Sequence, residues 1–313
     1  MFASFLGYLT QRHEPFTWSE ELVGPARAAS HPQLLALCAM AAQCVLAWRL
    51  DDSYRFCEAA EALLGDLRYS PGPFGCARAW IGRIYLHLGS ADRCIRLCQA
   101  EIDRAGGLGS DSKEILVVAL SLTGRDDDAR VFAADAVEAA EQRTNPRAVA
   151  YALLVYGLVW RHVDPMAATV ALRRGLDIAS RSGNARTESN IQVFLADMEL
   201  GHGHIQDALG LLESATTKYH DSGDTSSLRS SFAVLAACLD RLGQHEAAMT
   251  IIDAAGTGWA VGAERTLPVT ISHLRQVLGD EEFESLTAPR TAVEPTQLIA
   301  YALEQVQRAR ALT

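Results

Sequence analysis

The chain has 313 residues, 49% of them hydrophobic and 21% charged, with a net charge of −10. That length exceeds one small core and suits two compact domains or one repeat array. Only 23 Gly and 10 Pro exclude a collagen-like or low-complexity chain, and an acidic balance without a long Arg/Lys run argues against a nucleic-acid surface.

Alanine supplies 50 residues, which predicts helices packed through small side chains. The stretch from Met1 to Leu9 lacks a basic leading segment, and Gln11-Arg12-His13-Glu14 follows at once, so no signal peptide is expected. The most apolar stretch, Leu34 to Trp48, contains Gln43 and falls short of the roughly 20 residues of a membrane span. A buried helix is expected there. Seven scattered cysteines, an odd count within apolar stretches, fit reduced thiols in a cytoplasmic protein better than a disulfide framework.

In chain order, a degenerate helix pair is expected between Leu34 and Leu64, and Pro71-Gly72-Pro73 ends it. Ile81, Gly82, Tyr85, Gly89, Cys94 and Cys98 then follow a pattern. Large and small residues share one helix face, a glycine turns the chain, and small residues line the next helix. Gly106-Gly107-Leu108-Gly109 interrupts, and Leu116, Leu120, Gly124, Ala129, Ala133 and Ala136 repeat the pattern. Asp126, Asp127 and Asp128 suit a helix start, where the dipole favours negative charge. Asp164-Pro165 caps a further helix carrying Ala168, Leu172 and Gly175. Leu195, Ala196, Gly203, Ala208, Leu212 and Ala215 follow. The fullest copy is Phe232, Leu235, Ala236, Leu239, Gly243, Ala248, Ile252 and Ala255.

These offsets resemble the tetratricopeptide pattern. Its small positions recur at 94, 129, 168, 208 and 248, hence at gaps of 35, 39, 40 and 40. Small residues belong where two helices cross closely. The register loosens from Gly256 to Pro268. Helices are then expected over Ile271–Leu278, Glu281–Leu286 and Pro295–Arg310, the last with Ile299, Leu303 and Val306 on one face. Glu281-Glu282 opens the middle one. The expected fold is all-α, a TPR-like α-solenoid of about six helical hairpins with a C-terminal capping helix. Residues 1–258 form the array and 259–313 the cap. No β-sheet is expected.

Glu14-Pro15-Phe16-Thr17-Trp18-Ser19-Glu20-Glu21-Leu22, with Pro25-Ala26-Arg27 and His31-Pro32, resembles the start of the helical-repeat region of actinobacterial signalling ATPases. Those regulators join a cyclase or effector domain, a STAND-type ATPase and helical repeats, often with a LuxR-type end. Leu278-Gly279-Asp280-Glu281-Glu282-Phe283 and Ile299-Ala300-Tyr301-Ala302-Leu303-Glu304 are similar to that region's closing segment. The departures limit what the resemblance implies. Neither Lys113 nor Lys218 follows a glycine, so the phosphate-binding Gly-Lys-Ser/Thr loop is missing. The C-terminal helix has Arg308 and Arg310 but no helix-turn-helix unit. The implied part is the regulatory repeat region alone, as a detached or truncated regulator.

Several constellations have bland readings. Cys94 and Cys98, at i and i+4, fit buried structural thiols better than a metal or redox pair. His202-Gly203-His204 offers two donors at a predicted turn, but the sequence places no third ligand beside it, so no metal is expected. Trp160-Arg161-His162 and Arg173-Arg174 could hold an anion or acidic peptide, although a solvated helix face explains them better. A Ser/His/Asp triad lacks a Gly-x-Ser-x-Gly elbow.

In stacked hairpins the first helix of each pair faces the concave side. The template then turns Arg83, His87, Trp160, Arg161, Asn190, Asp197, Asp240 and Arg241 toward a groove. Their mixed polarity suits a protein or peptide partner. The expected function is a non-catalytic interaction or regulatory module, without cofactor, nucleic acid or membrane. The alternatives are a small-molecule sensor with a groove-enclosed pocket and an α-superhelical enzyme.

Overall fold

The computed structural model describes residues 14–47, 49–70, 77–104, 110–142, 145–222, 225–255, 265–287 and 295–311. Among these, all regular structure is helical and no strand occurs. Both Gly/Pro breaks, Pro71–Pro73 and Gly106–Gly109, lie outside the described residues, as do Met1 to Leu9. The helices are α1 (Glu14–Ala28), α2 (Leu34–Ala41), a 3-10 turn (Ala42–Ala47), α3 (Leu50–Glu61), α4 (Ala77–His87), α5 (Ala91–Arg104), α6 (Ser110–Leu122), α7 (Asp126–Gln142), α8 (Pro146–Trp160), α9 (Pro165–Arg181), α10 (Ala185–Gly201), α11 (Ile205–Ser222), α12 (Thr225–Arg241), α13 (His245–Ala255), α14 (Thr266–Leu278), α15 (Asp280–Thr287) and α16 (Pro295–Ala311). Packing divides the chain into two compact units, Met1–Val159 and Trp160–Thr313. No described helix is long and apolar enough to cross a membrane.

In the first unit, successive helices α1 to α5 pack as neighbours, and α6 packs on α5 and α7. Phe16, Leu34, Cys38, Cys57, Ala60, Ile81 and Tyr85 belong to one core. The expected helix pair at 34–64 is α2, the 3-10 turn and α3. In the second unit, α10 packs on α11 and α12 on α13. The closing helices cover them: α14 lies on α12, α15 on α13, and α16 on α11, α12 and α13. Ile299 and Val306 of α16 are buried in that core, and Leu303 packs beside it.

The helix turns share one device. At Gly203 the φ angle is +85° and at Gly243 +73°, left-handed values that a Cβ would disfavour. There the N–H of His204 donates to the Glu199 carbonyl at 2.9 Å, and the N–H of Gly203 to that of Leu200 at 3.0 Å. This is the Schellman closure, which satisfies otherwise orphaned carbonyls. Gln244 to Leu239, Arg125 to Leu120 and Ser90 to Tyr85 repeat the longer bond. The small positions foreseen at helix crossings, Cys94, Ala129, Ala168, Ala208 and Ala248, are all fully buried. Gly82 shows why: a Cβ there would lie 3.2 Å from Cys98 Sγ on the neighbouring helix.

Helix starts follow the local chemistry. The Asp164 side chain accepts from the Ala167 N–H at 2.9 Å, with Pro165 first in α9. Asp126, Asp127 and Asp128 open α7. Two boundaries differ from the sequence reading by more than a residue. The apolar stretch from Leu34 is α-helical only to Ala41 and continues as a 3-10 turn to Ala47. Helix α14 begins at Thr266, not Ile271, and contains Pro268. Proline is tolerated there because the N–H groups of a first turn have no partner within the helix.

Candidate functional site

The two units are taken separately. In the first, Arg83 and His87 lie half-buried in α4, and the Arg83 guanidinium sits 5.7 Å from the Tyr151 ring centre. On the neighbouring helix α5 the Cys94 and Cys98 sulfurs are 4.0 Å apart and fully buried. Contact with Cys98, and then burial, pushes the Cys94 thiol up. A protonated thiol is a poor nucleophile and a poor metal ligand.

In the second unit, Trp160 ends α8 half-buried, and Arg161 is 4% exposed with its guanidinium 5.6 Å from the Phe194 ring centre. Arg161 is therefore packed against an aromatic face and does not line an open wall. Asn190 of α10 accepts a hydrogen bond from the Tyr219 hydroxyl of α11. Arg241 is exposed at the end of α12, where its guanidinium donates to the Leu200 carbonyl.

Asp197 of α10 and Asp240 of α12 each accept a hydrogen bond from α14. The Thr266 hydroxyl, at the start of α14, donates to Asp197 Oδ1 at 2.5 Å. His273 of the same helix donates from Nδ1 to Asp240 Oδ2 at 2.9 Å. Asp240, 7% exposed, also accepts from His245 Nδ1 at 3.0 Å. A carboxylate buried to that degree needs such donors. The polar side chains of α10 and α12 that were expected to meet a partner thus receive α14 of the same chain. Thr266, His245 and His273 were missed by sequence reasoning. For Thr266 and His273 the partner is 69 and 33 residues away, and no local pattern reports it.

A second cluster corrects a premise. A third donor does stand beside His202 and His204: Glu199, in the last turn of α10. One ligand atom from each of the three lies within 4.8 Å of the others. His204 Nδ1 is 2.8 Å from Glu199 Oε2. Across the other carboxylate oxygen, Arg173 of α9 approaches Glu199 Oε1 to 3.5 Å. The exposed pair Arg173-Arg174 is thus tied to this cluster through Arg173.

Elsewhere, a polar surface hollow is lined by Gly124, Arg125, Asp126, Asp127, Asp128 and Arg130 at the start of α7. It has none of the apolar walls of a ligand pocket. No protein-family model matches the chain, and no curated protein matches it.

Proposed function

We propose that the chain is a non-catalytic protein-interaction module, a TPR-like α-solenoid of about six hairpins closed by the helices after residue 258. The carrying observation is the burial of Cys94, Ala129, Ala168, Ala208 and Ala248 at a near-constant spacing. Reiterated packing through small residues would hold the exposed polar side chains of successive helices, Arg241 among them, at a regular spacing for recognition. The seating of α14 supports the reading. Hydroxyl and imidazole donors of that helix meet Asp197 and Asp240, which is the chemistry a partner helix would use. By its resemblance to the repeat region of actinobacterial signalling ATPases, the module would serve a cytoplasmic regulator of signalling or transcription.

The test is affinity capture with photo-cross-linking, mapped by mass spectrometry. A partner retained by the wild type should cross-link to α4, α10 or α12, and should be lost with His87→Glu or Arg241→Glu. Arg181→Glu, exposed on α9, should retain it. Cross-links confined to the second helices of the pairs, or ATP hydrolysis that survives repurification, would overturn the reading.

A further inference from the structure

The end of α10 and the turn after it hold three metal-type donors in a fixed frame. Glu199 is in the last helical turn, His202 is the C-cap, and His204 follows Gly203. Three backbone bonds set their spacing: His202 N–H to the Met198 carbonyl at 3.1 Å, Gly203 N–H to that of Leu200 at 3.0 Å, and His204 N–H to that of Glu199 at 2.9 Å. His202 stays in helical conformation at the end of α10, and the left-handed φ of Gly203 turns His204 back over the last helical turn, beside Glu199. Their ring centres are 6.0 Å apart, at 53° to each other.

We propose that Glu199, His202 and His204 form a binding site for a divalent cation of the zinc class. Two borderline imidazole nitrogens beside one hard carboxylate oxygen suit Zn²⁺, and the set has too few oxygen ligands for Mg²⁺ or Ca²⁺. Three protein ligands leave the fourth tetrahedral position to water or to a donor from another molecule. With metal bonds of about 2.0–2.1 Å, tetrahedral ligand atoms stand about 3.4 Å apart. The 2.8 Å contact of His204 with Glu199 need only open slightly, and the wider separations close by rotation of exposed imidazoles. Arg173 sits 3.5 Å from Glu199 Oε1, which leaves Oε2 for the ion. Its positive charge orients the carboxylate but also opposes the incoming cation, so Arg173 tunes the affinity downward.

The test uses the full chain, stripped of metal and titrated with ZnCl₂ by calorimetry. One Zn²⁺ should bind per chain, with no competition from Mg²⁺ or Ca²⁺. His202→Ala, His204→Ala and Glu199→Gln should each weaken binding by about tenfold or more, as loss of a ligand does at least what loss of an outer-shell partner does. His220→Ala, exposed elsewhere on α11, should leave it unchanged. Arg173→Gln should tighten it. The metal-free variants should melt like the wild type, which separates lost ligation from lost folding. Co²⁺ in place of Zn²⁺ should give a nitrogen/oxygen spectrum. A strong thiolate charge-transfer band, or unaltered Zn²⁺ affinity in the His202→Ala/His204→Ala double variant, would overturn the assignment. The outcome is independent of whether the chain binds a protein partner.

Discussion

Gly82→Ala puts one methyl group where α4 and α5 approach closely. The new Cβ would stand 3.2 Å from Cys98 Sγ, 3.6 Å from the Cys94 carbonyl oxygen and 3.7 Å from Cys94 Sγ. Unstrained carbon contacts lie near 3.5–4.0 Å, so the Cys98 contact is short by a few tenths of an ångström. Cys98 cannot easily yield, because it is fully buried and its sulfur already meets that of Cys94 at 4.0 Å. Two effects compete. Alanine gains about 1 kcal/mol over glycine inside a helix. Overpacking a closed core costs about 1–3 kcal/mol. The expected net loss is about 1 kcal/mol. In a Cys98→Ala background the obstructing sulfur is gone, so the same change should stabilise by about 1 kcal/mol. The coupling of about 2 kcal/mol lies within the range for residues in contact. Urea unfolding of the four chains measures it, and a constant m-value shows that the unfolded state is unchanged. Because the units need not unfold together, hydrogen exchange of α4 and α5 supplies the local free energy. If Gly82→Ala has the same effect in both backgrounds within about 0.5 kcal/mol, the close crossing is refuted.

The buried positions of the second unit make a parallel case. Ala208→Leu and Ala248→Leu each add three heavy atoms at fully buried sites and should cost about 1–3 kcal/mol, whereas Ala134→Leu on the exposed face of α7 should melt like the wild type. Burial pushes the Cys44 and Cys238 thiols up from 9.0 to about 12, so the native chain should react slowly with a thiol reagent at neutral pH while the denatured chain titrates all seven cysteines. The unfolded thiols lose their protons first, so this stabilisation is complete below about pH 9 and declines as the pH rises toward 12; a melting temperature that holds constant through that window would contradict it. Asp240→Asn removes the buried charge that His245 and His273 hold, a loss of about 1.5–3 kcal/mol per charged hydrogen bond, and should raise the exchange rate of α14 more than that of α10. Equal protection of α14 in the variant would mean that the helix is seated by its apolar side alone.

The helices were legible because each reports a local constraint. The small positions of the sequence pattern, Cys94, Ala129 and Ala248 among them, are fully buried, as apolar periodicity on a helix face requires. Asp164-Pro165 and Asp126–Asp128 mark helix starts for equally local reasons. Two features escaped. Pro268 suggested a break, although a proline within the first turn costs no hydrogen bond, and α14 was read as starting late. The polar wall was read by helix phase alone, which counts Asp197 and Asp240 as outward-facing. Their partners on α14 are long-range contacts that no spacing rule supplies.

The Glu199–His204 contact is a different kind of miss, because its cause is local. In a Schellman closure the residue after the turn glycine donates its N–H back across five residues, which lays it over the last turn of the helix. An apolar pair usually fills that contact. Here the pair is Glu199 and His204, joined by the 2.9 Å backbone bond and the 2.8 Å side-chain contact. Asp240 and His245 make the same five-residue span around Gly243, shifted by one position. A carboxylate three or four residues before a helix-ending glycine, with histidine one or two residues after it, therefore places the two side chains within hydrogen-bond reach. What then distinguishes the two pairs is burial. Asp240 is enclosed beneath α14 and spends its charge on structure, whereas the imidazoles beside Glu199 face solvent with coordinating nitrogens within reach of an ion.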